Sequence, residues 1–486
     1  MADRRGLGGL LTVVVIGSIM AVLDVTIVNV AMFPLAEAFD APVQDVQWIA
    51  TGYTLALSAA VPLTSWVMAR FGARRVYLTA IVLFACGSGL AALAPSVPAL
   101  VALRVVQGLG GGLLVPVGMA MAMRLADPAR MGRVMAVLGL PVLLGPATGP
   151  VLGGWLIDAA SWRWIFLVNL PVGVLAFVLG LRLLPRDTAR PDRPPLDVPG
   201  LLSLSPGLAL LIFGLAEGGS GGDFTRPLAL LPTAAGIVLV ALFTVRALTA
   251  RHPLLRLDLF RDRTYAAGMA TVTLFPCAYF GSMLLAPMYF QSARGLSATQ
   301  AGLLGIPLAL AVGLSMQVAT RLVDRVSPRL LIASGALIAA SGLALFAVRL
   351  GPETPYPGLC AALMLMGVGV GMVLMPTNTT AVRGLAPADM PSGSTTLSIV
   401  MQVGSASGTA LMSVLLASRA GGEVAAAGPA DFRHAYWFAV ALLALAVIPA
   451  LFLPGRREAP PAEGGRTGAP EQPEGRPSVL PTGHAS

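Results

Sequence analysis

Two charges stand where charges are costly. Asp24 lies in the middle of the apolar run 10–33, and Arg104 lies inside the run 99–123. A carboxylate in such a stretch faces a cavity or a partner and marks an ion or proton path. Loss of water favours the neutral acid, and a nearby cation favours the carboxylate. A group under both pressures can bind and release a proton as its surroundings change, which is the chemistry of proton coupling. Arg104 is the only Arg deep in an apolar run. By helical rise it lies roughly 8 Å below the end of its span, and Asp24 roughly 14 Å below the end of its own. A long Arg side chain covers much of that difference. Gln107, Gly108 and Gly111 follow at helical spacing, so Arg104 shares a closely packed face. The plainer alternatives are a structural Asp and an Arg that snorkels to the membrane surface. His252, His434 and His484 fall in loops or the tail, so a buried imidazole relay is not expected.

The elements that must hold these charges are membrane helices. The 486 residues are 56% hydrophobic and 11% charged, with mean hydropathy +0.80, too apolar for a soluble domain. Fourteen apolar runs are long enough to cross a bilayer: 10–33, 47–69, 76–94, 99–123, 132–157, 164–184, 200–216, 228–247, 265–290, 298–320, 330–349, 357–381, 393–417 and 435–453. The expectation is an all-α polytopic protein embedded in lipid. The first run follows Arg4 and Arg5, carries Asp24 and lacks a small-residue cleavage site, so it reads as a retained helix.

All 32 basic residues are Arg, and the net charge is +9. That charge would suggest nucleic acid only until the arginines are placed. With a cytoplasmic N-terminus, cytoplasmic segments hold 25 Arg and the opposite loops hold six. The bias is the positive-inside signature, with both termini cytoplasmic and no nucleic-acid partner implied. Cys86, Cys277 and Cys360 fall inside apolar runs and read as free thiols.

Residues 108–131 echo residues 367–390 at an offset of 259, aligning Gly108, Gly110 and Gly112 with Gly367, Gly369 and Gly371. Helices 4–5 therefore correspond to helices 12–13. Parallel six-helix halves related this way hold their site near the midplane between them. The expected division is 1–184 and 251–453 as the halves and 185–250 as a linker with two inserted helices. Residues 454–486, rich in Pro, Gly, Glu and Arg, read as a disordered cytoplasmic tail.

The fifth run is full of helix breakers, with Gly145, Gly149 and Gly153 on one face and Pro141, Pro146 and Pro150 among them. Bare backbone lets another helix approach, and membrane neighbours can satisfy carbonyls that Pro frees. The pattern Gly145-xxx-Gly149-Pro150-xx-Gly153-Gly154 resembles the antiporter motif of the major facilitator superfamily. A kinked contact against the opposite half is expected of it.

The stretch LDVTIVNVA around Asp24, with Asn29, resembles the first-helix motif of the fourteen-helix drug:proton antiporter family. The resemblance implies that Asp24 couples protons or recognises cations. RVVQGLGGG from Arg104 resembles the superfamily's fourth-helix motif, whose Arg communicates with the proton site. SWVMARFGARR, Ser65–Arg75, resembles its cytoplasmic gate: Arg70, Gly72 and Arg74 match, while Ala69 stands where the pattern has Asp. The second half keeps the acid in its own loop as Asp324, with Arg325 beside it. SWRWIFLVNLPVG, Ser161–Gly173, closely resembles a sequence typical of the fourteen-helix family.

These resemblances imply alternating access in a bacterial inner membrane, driven by a proton gradient with no cofactor, by a chain expected to act as a monomer. The implied cargo is a bulky amphipathic drug or antibiotic. Aromatic and Met faces on helices 9 and 12 suit such cargo. Candidate contacts are Asn29, Gln107, Phe275, Tyr279, Gln291, Met372, Asn378 and Gln402. An exporter dedicated to the host's own metabolite is the alternative within transport. A receptor or scaffold would not need Asp24 and Arg104, and no nucleophile–base pair or metal cluster supports an enzyme.

Overall fold

The computed structural model describes residues 2–125, 131–187, 195–221, 224–251, 253–296, 298–322, 326–351, 353–386, 389–419 and 427–455. Asp324, Arg325 and nearly all of the expected tail lie outside the described residues. No strand occurs among the described residues. The first six long helices are α1 (Ala2–Val30), α2 (Val43–Ala60), α3 (Ala73–Ala91), α4 (Val97–Leu125), α5 (Leu140–Ala159) and α6 (Asn169–Leu183). Two more follow, α7 (Val198–Gly221) and α8 (Pro227–Thr249). The last six are α9 (Arg263–Met288), α10 (Ala298–Leu322), α11 (Pro328–Val348), α12 (Tyr356–Arg383), α13 (Met390–Arg419) and α14 (Pro429–Leu445). Thirteen helices among the described residues are long and apolar enough to cross a membrane. The remaining expected span is the 20-residue α5, preceded by a short helix Met131–Leu138.

Local chemistry sets the helix ends. Pro opens α8, α11 and α14, where a missing N–H costs nothing. The Asp262 carboxylate accepts the Tyr265 N–H at 2.8 Å to cap α9, and Asp431 accepts the Gly428 N–H at 2.9 Å before α14. Between the short helix Thr64–Phe71 and α3 the chain turns at Gly72, whose φ of +90° other residues rarely adopt.

The offset of 259 carries each of α1–α6 onto α9–α14 in order, so the fold is two six-helix halves plus the pair α7–α8. At the end of the bundle that carries the N-terminus, one apolar cluster draws on both halves. It joins Leu114, Met121 and Met123 to Met269, Val382 and Leu397. Toward the opposite end the clusters separate. One holds Ile27, Leu35, Ile49 and Trp162 of the first half, the other Phe275, Tyr289, Phe346 and Phe432 of the second. The halves are thus joined by their cores at the N-terminal end. Helix α7 packs against both α2 and α13. Phe213 stacks on Trp48 with ring centroids 5.4 Å apart, and Leu204 and Leu208 share a cluster with Val61 and Ile399.

Candidate functional site

The glycines of α4 set how close its neighbours come. A Cβ at Gly108 would stand 2.6 Å from the Tyr53 carbonyl of α2, and one at Gly110 would stand 2.8 Å from the Ala80 carbonyl of α3. With backbones this close, the side chains of Arg104 and Gln107 are enclosed: Arg104 is 1% exposed and Asp24 is 1% exposed. Arg104 Nη1 donates to Asp24 Oδ2, forming a buried ion pair between α4 and α1. The same nitrogen donates to Gln107 Oε1 at 2.8 Å, and Nε donates to the Ile49 carbonyl of α2 at 3.3 Å.

The other carboxylate oxygen is also saturated. Asp24 Oδ1 accepts Gln107 Nε2 at 2.8 Å and Asn169 Nδ2 at 2.9 Å. Asn169 opens α6, and its amide also reaches Ser88 Oγ of α3 at 3.0 Å, which donates in turn to the Phe166 carbonyl at 2.9 Å. The guanidinium lies over the Tyr53 ring, 4.2 Å from its centroid, and 5.7 Å from that of Phe166. One carboxylate therefore ties together α1, α2, α3, α4 and α6. Protonating it would remove the charge that holds Arg104 in its ion pair. Asn169, Ser88 and Tyr53 carry no sequence signal that sets them apart; Asn169 is visible only as part of the Trp-rich motif.

Glycines 145, 149 and 153 of α5 pack on α1 of their own half rather than on the opposite half. Their added Cβ atoms would come 2.2 Å from Val22 Cγ1, 1.9 Å from Thr26 Oγ1 and 3.1 Å from Ile27 Cγ2. Thr26 Oγ1 also approaches the Gly145 carbonyl at 3.3 Å. Gly154 meets nothing within 4 Å. Pro146 and Pro150 lie within the same helix. The motif thus positions the segment of α1 that carries Asp24. Helix α5 also packs on α10 of the other half, and just before it a Cβ at Gly139 would stand 2.5 Å from Met316 Cε of α10.

In the α2–α3 connection, Asp187 from beyond α6 serves where Ala69 offers no acid. Its carboxylate accepts the N–H groups of Arg74 at 3.1 Å and Arg75 at 3.2 Å, capping the start of α3. Arg74 Nη2 donates to the Leu181 carbonyl. A Cβ at Gly72 would stand 2.2 Å from Asp187 Cγ, so this glycine also makes room for the cap. Arg70 is exposed. Asp187 lies 118 positions after Ala69, which is why the loop sequence alone does not reveal it.

The second half holds a cavity of about 180 Å³ instead of charges. Tyr279, Phe280, Met283 and Phe290 line it from α9 and the π-helical turn Tyr289–Ala293, Val312 and Met316 from α10, and Leu363, Met366 and Met375 from α12. Among the described residues, no charged side chain lines it. At the offset of 259, Asp24, Tyr53, Arg104 and Gln107 correspond to Met283, Val312, Leu363 and Met366, and all four of these line the cavity. Of the candidate contacts, Tyr279 lines it and Gln107 belongs to the ion site. Phe275 is buried in the core of the second half, Met372 packs beside Gly335, and Gln291 is exposed. Asn378 is 3% exposed, with no partner for Oδ1 among the described residues. Gln402 is half-buried on α13, and the Asn29 side chain is outside the described set. Among the described residues, no group of His, Cys, Asp or Glu could hold a metal ion.

A family model described as the Major Facilitator Superfamily matches residues 14–409 and 269–482. The chain belongs to this superfamily. Within it, the facilitator is 43% identical over 418 residues to the multidrug resistance protein B homolog of Mycobacterium tuberculosis, covering 85% of this chain and 77% of the other. It is 32% identical over 481 residues to the puromycin resistance protein pur8 of Streptomyces alboniger, covering 95% and 94%. It is 29% identical to the lincomycin resistance protein LmrB of Bacillus subtilis over 441 residues, covering 88% and 92%. The proton:xylose symporter XylE shares the fold at TM-score 0.64 and 16% identity, covering 91% of this chain and 94% of the other. The facilitator is thus a multi-pass membrane transporter of the multidrug-resistance type.

Proposed function

We propose that this facilitator exports bulky amphipathic compounds from the bacterial cytoplasm in exchange for protons. The observation that carries the reading is the division of labour between the repeats. One half holds a buried, titratable carboxylate with its cation, and the same four positions in the other half line an uncharged cavity. An Asp–Arg pair enclosed by helices gives a proton a place to bind with a structural consequence. An apolar cavity with aromatic and Met walls suits varied cargo. The names of the resistance relatives support drug-like cargo.

The 25:6 Arg bias supports a cytoplasmic N-terminus and C-terminus. On that orientation the cores are joined at the cytoplasmic end, which supports an outward-facing conformation. Residues 1–184 and 251–453 then act as the two moving halves, with 185–250 carrying the inserted pair. In the proposed cycle, a proton reaches Asp24 in the outward-facing state, breaks the tie to Arg104 and loosens α1 from α4 and α6 as cargo leaves. Inward opening releases the proton to the cytoplasm and admits new cargo. A membrane potential contributes ~2.3 kcal/mol per charge per 100 mV.

The test uses inverted vesicles and the compound to which expression gives an efflux-deficient host the greatest tolerance. Proton-driven accumulation of that compound is expected to stop in Asp24→Asn, while downhill exchange continues. Uphill accumulation by Asp24→Asn would refute Asp24 as the coupling group.

A further inference from the structure

Two hollows meet at the end of the bundle where the halves are joined. The larger, about 780 Å³, lies between the α2–α3 connection, the start of α13 and the segment joining α8 to α9. The smaller, about 420 Å³, lies between the same connection and the end of α6. Ala69 and Arg124 belong to both walls. Arg124, Arg251, Arg256 and Arg261 line the larger hollow, and Arg70, Arg75 and Arg186 line the smaller.

The acids in these walls are Asp187, Asp197 and Asp258, and each already has partners. Asp197 Oδ1 pairs with Arg246 at 3.2 Å and accepts the Gly200 N–H at 3.2 Å to cap α7, while its buried Oδ2 has no hydrogen-bond partner among the described residues. Asp258 pairs with Arg256, which also reaches Asp389 at 2.6 Å. Asp187 accepts the two N–H groups at the start of α3. Neither Arg251 nor Arg261 makes an ion pair among the described residues, although the charge of Arg261 is felt by Asp258. Ala69, which stands in the shared wall, removes the acid that the gate pattern would have placed there.

The rim is apolar. Leu248 on the outer face of α8 is 69% exposed and Phe260 is 38% exposed, and Trp66 and Leu257 line the interior. A solvated positive-inside loop would need neither a hollow nor this rim. Guanidinium forks match phosphate oxygens, and basic pockets between helices on the cytoplasmic side receive anionic headgroups. A free phosphate would use the arginines and leave the exposed Leu248 and Phe260 without a role.

We infer that this Arg-lined hollow binds the phosphate headgroup of an anionic membrane lipid, with the acyl chains lying along α8. The site depends neither on the direction of transport nor on proton coupling.

Among the described residues, Trp66 is the only Trp in the wall of the larger hollow, and it reports occupancy. The full-length protein is reconstituted in phosphatidylcholine vesicles containing acyl-brominated phosphatidylglycerol or, at the same mole fraction, acyl-brominated phosphatidylcholine. Quenching attributable to Trp66 is the difference between wild type and Trp66→Phe. It is expected to be several-fold stronger with the anionic lipid. It should weaken several-fold in the Arg251→Gln/Arg261→Gln double variant, and also in Ala69→Asp, which keeps every arginine. Native mass spectrometry of the purified protein should show phosphatidylglycerol retained by wild type and lost from both variants. Equal quenching by the two lipids, or unchanged lipid retention in both variants, would overturn the assignment. Displacement of the lipid signal by inorganic phosphate, but not by chloride at equal ionic strength, would assign the site to free phosphate instead.

Discussion

Helices α4 and α12 keep the same glycines and differ in what stands beside them. Gly108, Gly110 and Gly112 match Gly367, Gly369 and Gly371, and an added Cβ at any of the six would lie within 2.9 Å of a neighbouring helix. The backbone spacing is therefore common to both halves. Arg104 and Gln107 fill the adjoining space in the first half with an ion pair and its hydrogen bonds. Leu363 and Met366 leave that space as part of an uncharged cavity in the second. One scaffold thus supports two kinds of site, and side chains at a few matching positions decide which forms.

The strongest way to break this contrast is to remove one charge. Arg104→Ala leaves the Asp24 carboxylate buried without its cation, a change that costs about 3–5 kcal/mol. The variant should melt well below wild type in detergent, and Asp24→Asn added to it should restore much of the loss. Converting the site to its counterpart, with Asp24→Met, Arg104→Leu and Gln107→Met together, should recover a folded protein without uphill transport. If Arg104→Ala melts like wild type, the ion pair is not what holds these helices together.

Next in size is the contact of α5 on α1. Gly149→Ala brings a methyl against Thr26 and should cost about 1–3 kcal/mol. Thr26→Ala should relieve it if the glycine face serves α1, as the geometry has it. If the face served the opposite half, Thr26→Ala would bring no recovery, so the double variant separates the two by thermal melting.

The cavity gives a smaller, more selective effect. Met366→Trp should fill much of the roughly 180 Å³ space and weaken cargo binding about tenfold, ~1.4 kcal/mol. The ion site and the fold should remain intact. Equilibrium binding of the screened compound to purified protein checks this, and unchanged affinity would remove the cavity from the cargo path.

The sequence discloses these regions unequally, for physical reasons. A bilayer demands long apolar runs, so the spans are legible from composition. Charges stand out in such runs, so Asp24 and Arg104 are legible too. Asn169, Ser88 and Tyr53 are not, because an uncharged polar residue on a membrane helix is common and their meeting with Asp24 depends on how α2, α3 and α6 pack. Asp187 is hidden by its distance along the chain from the loop it caps. The cavity is half legible. Its aromatic and Met residues stand out, but Val312 and Leu363 look like any lipid-facing residue until the repeat places them opposite Tyr53 and Arg104.

The smallest effect comes from an ion pair in water rather than in the core. Arg256 reaches Asp258 and Asp389 between the start of α13 and the segment before α9, with side chains 48%, 47% and 18% exposed. The hydrogen bond from Arg256 holds the Asp258 carboxyl below the usual carboxylate range. A lowered acid contributes stability above its unfolded value, about 4, and loses it as pH falls through the folded value. Solvent and salt screen a half-exposed pair, so the contribution stays below ~1 kcal/mol. Asp258→Asn should therefore melt slightly below wild type near neutral pH, and the difference should vanish at pH well under the carboxylate range. High salt should shrink it as well. A deficit as large as that of Arg104→Ala, or one that persists in acid, would show that the surface pair carries weight which the contrast with the buried site assigns to Asp24 and Arg104.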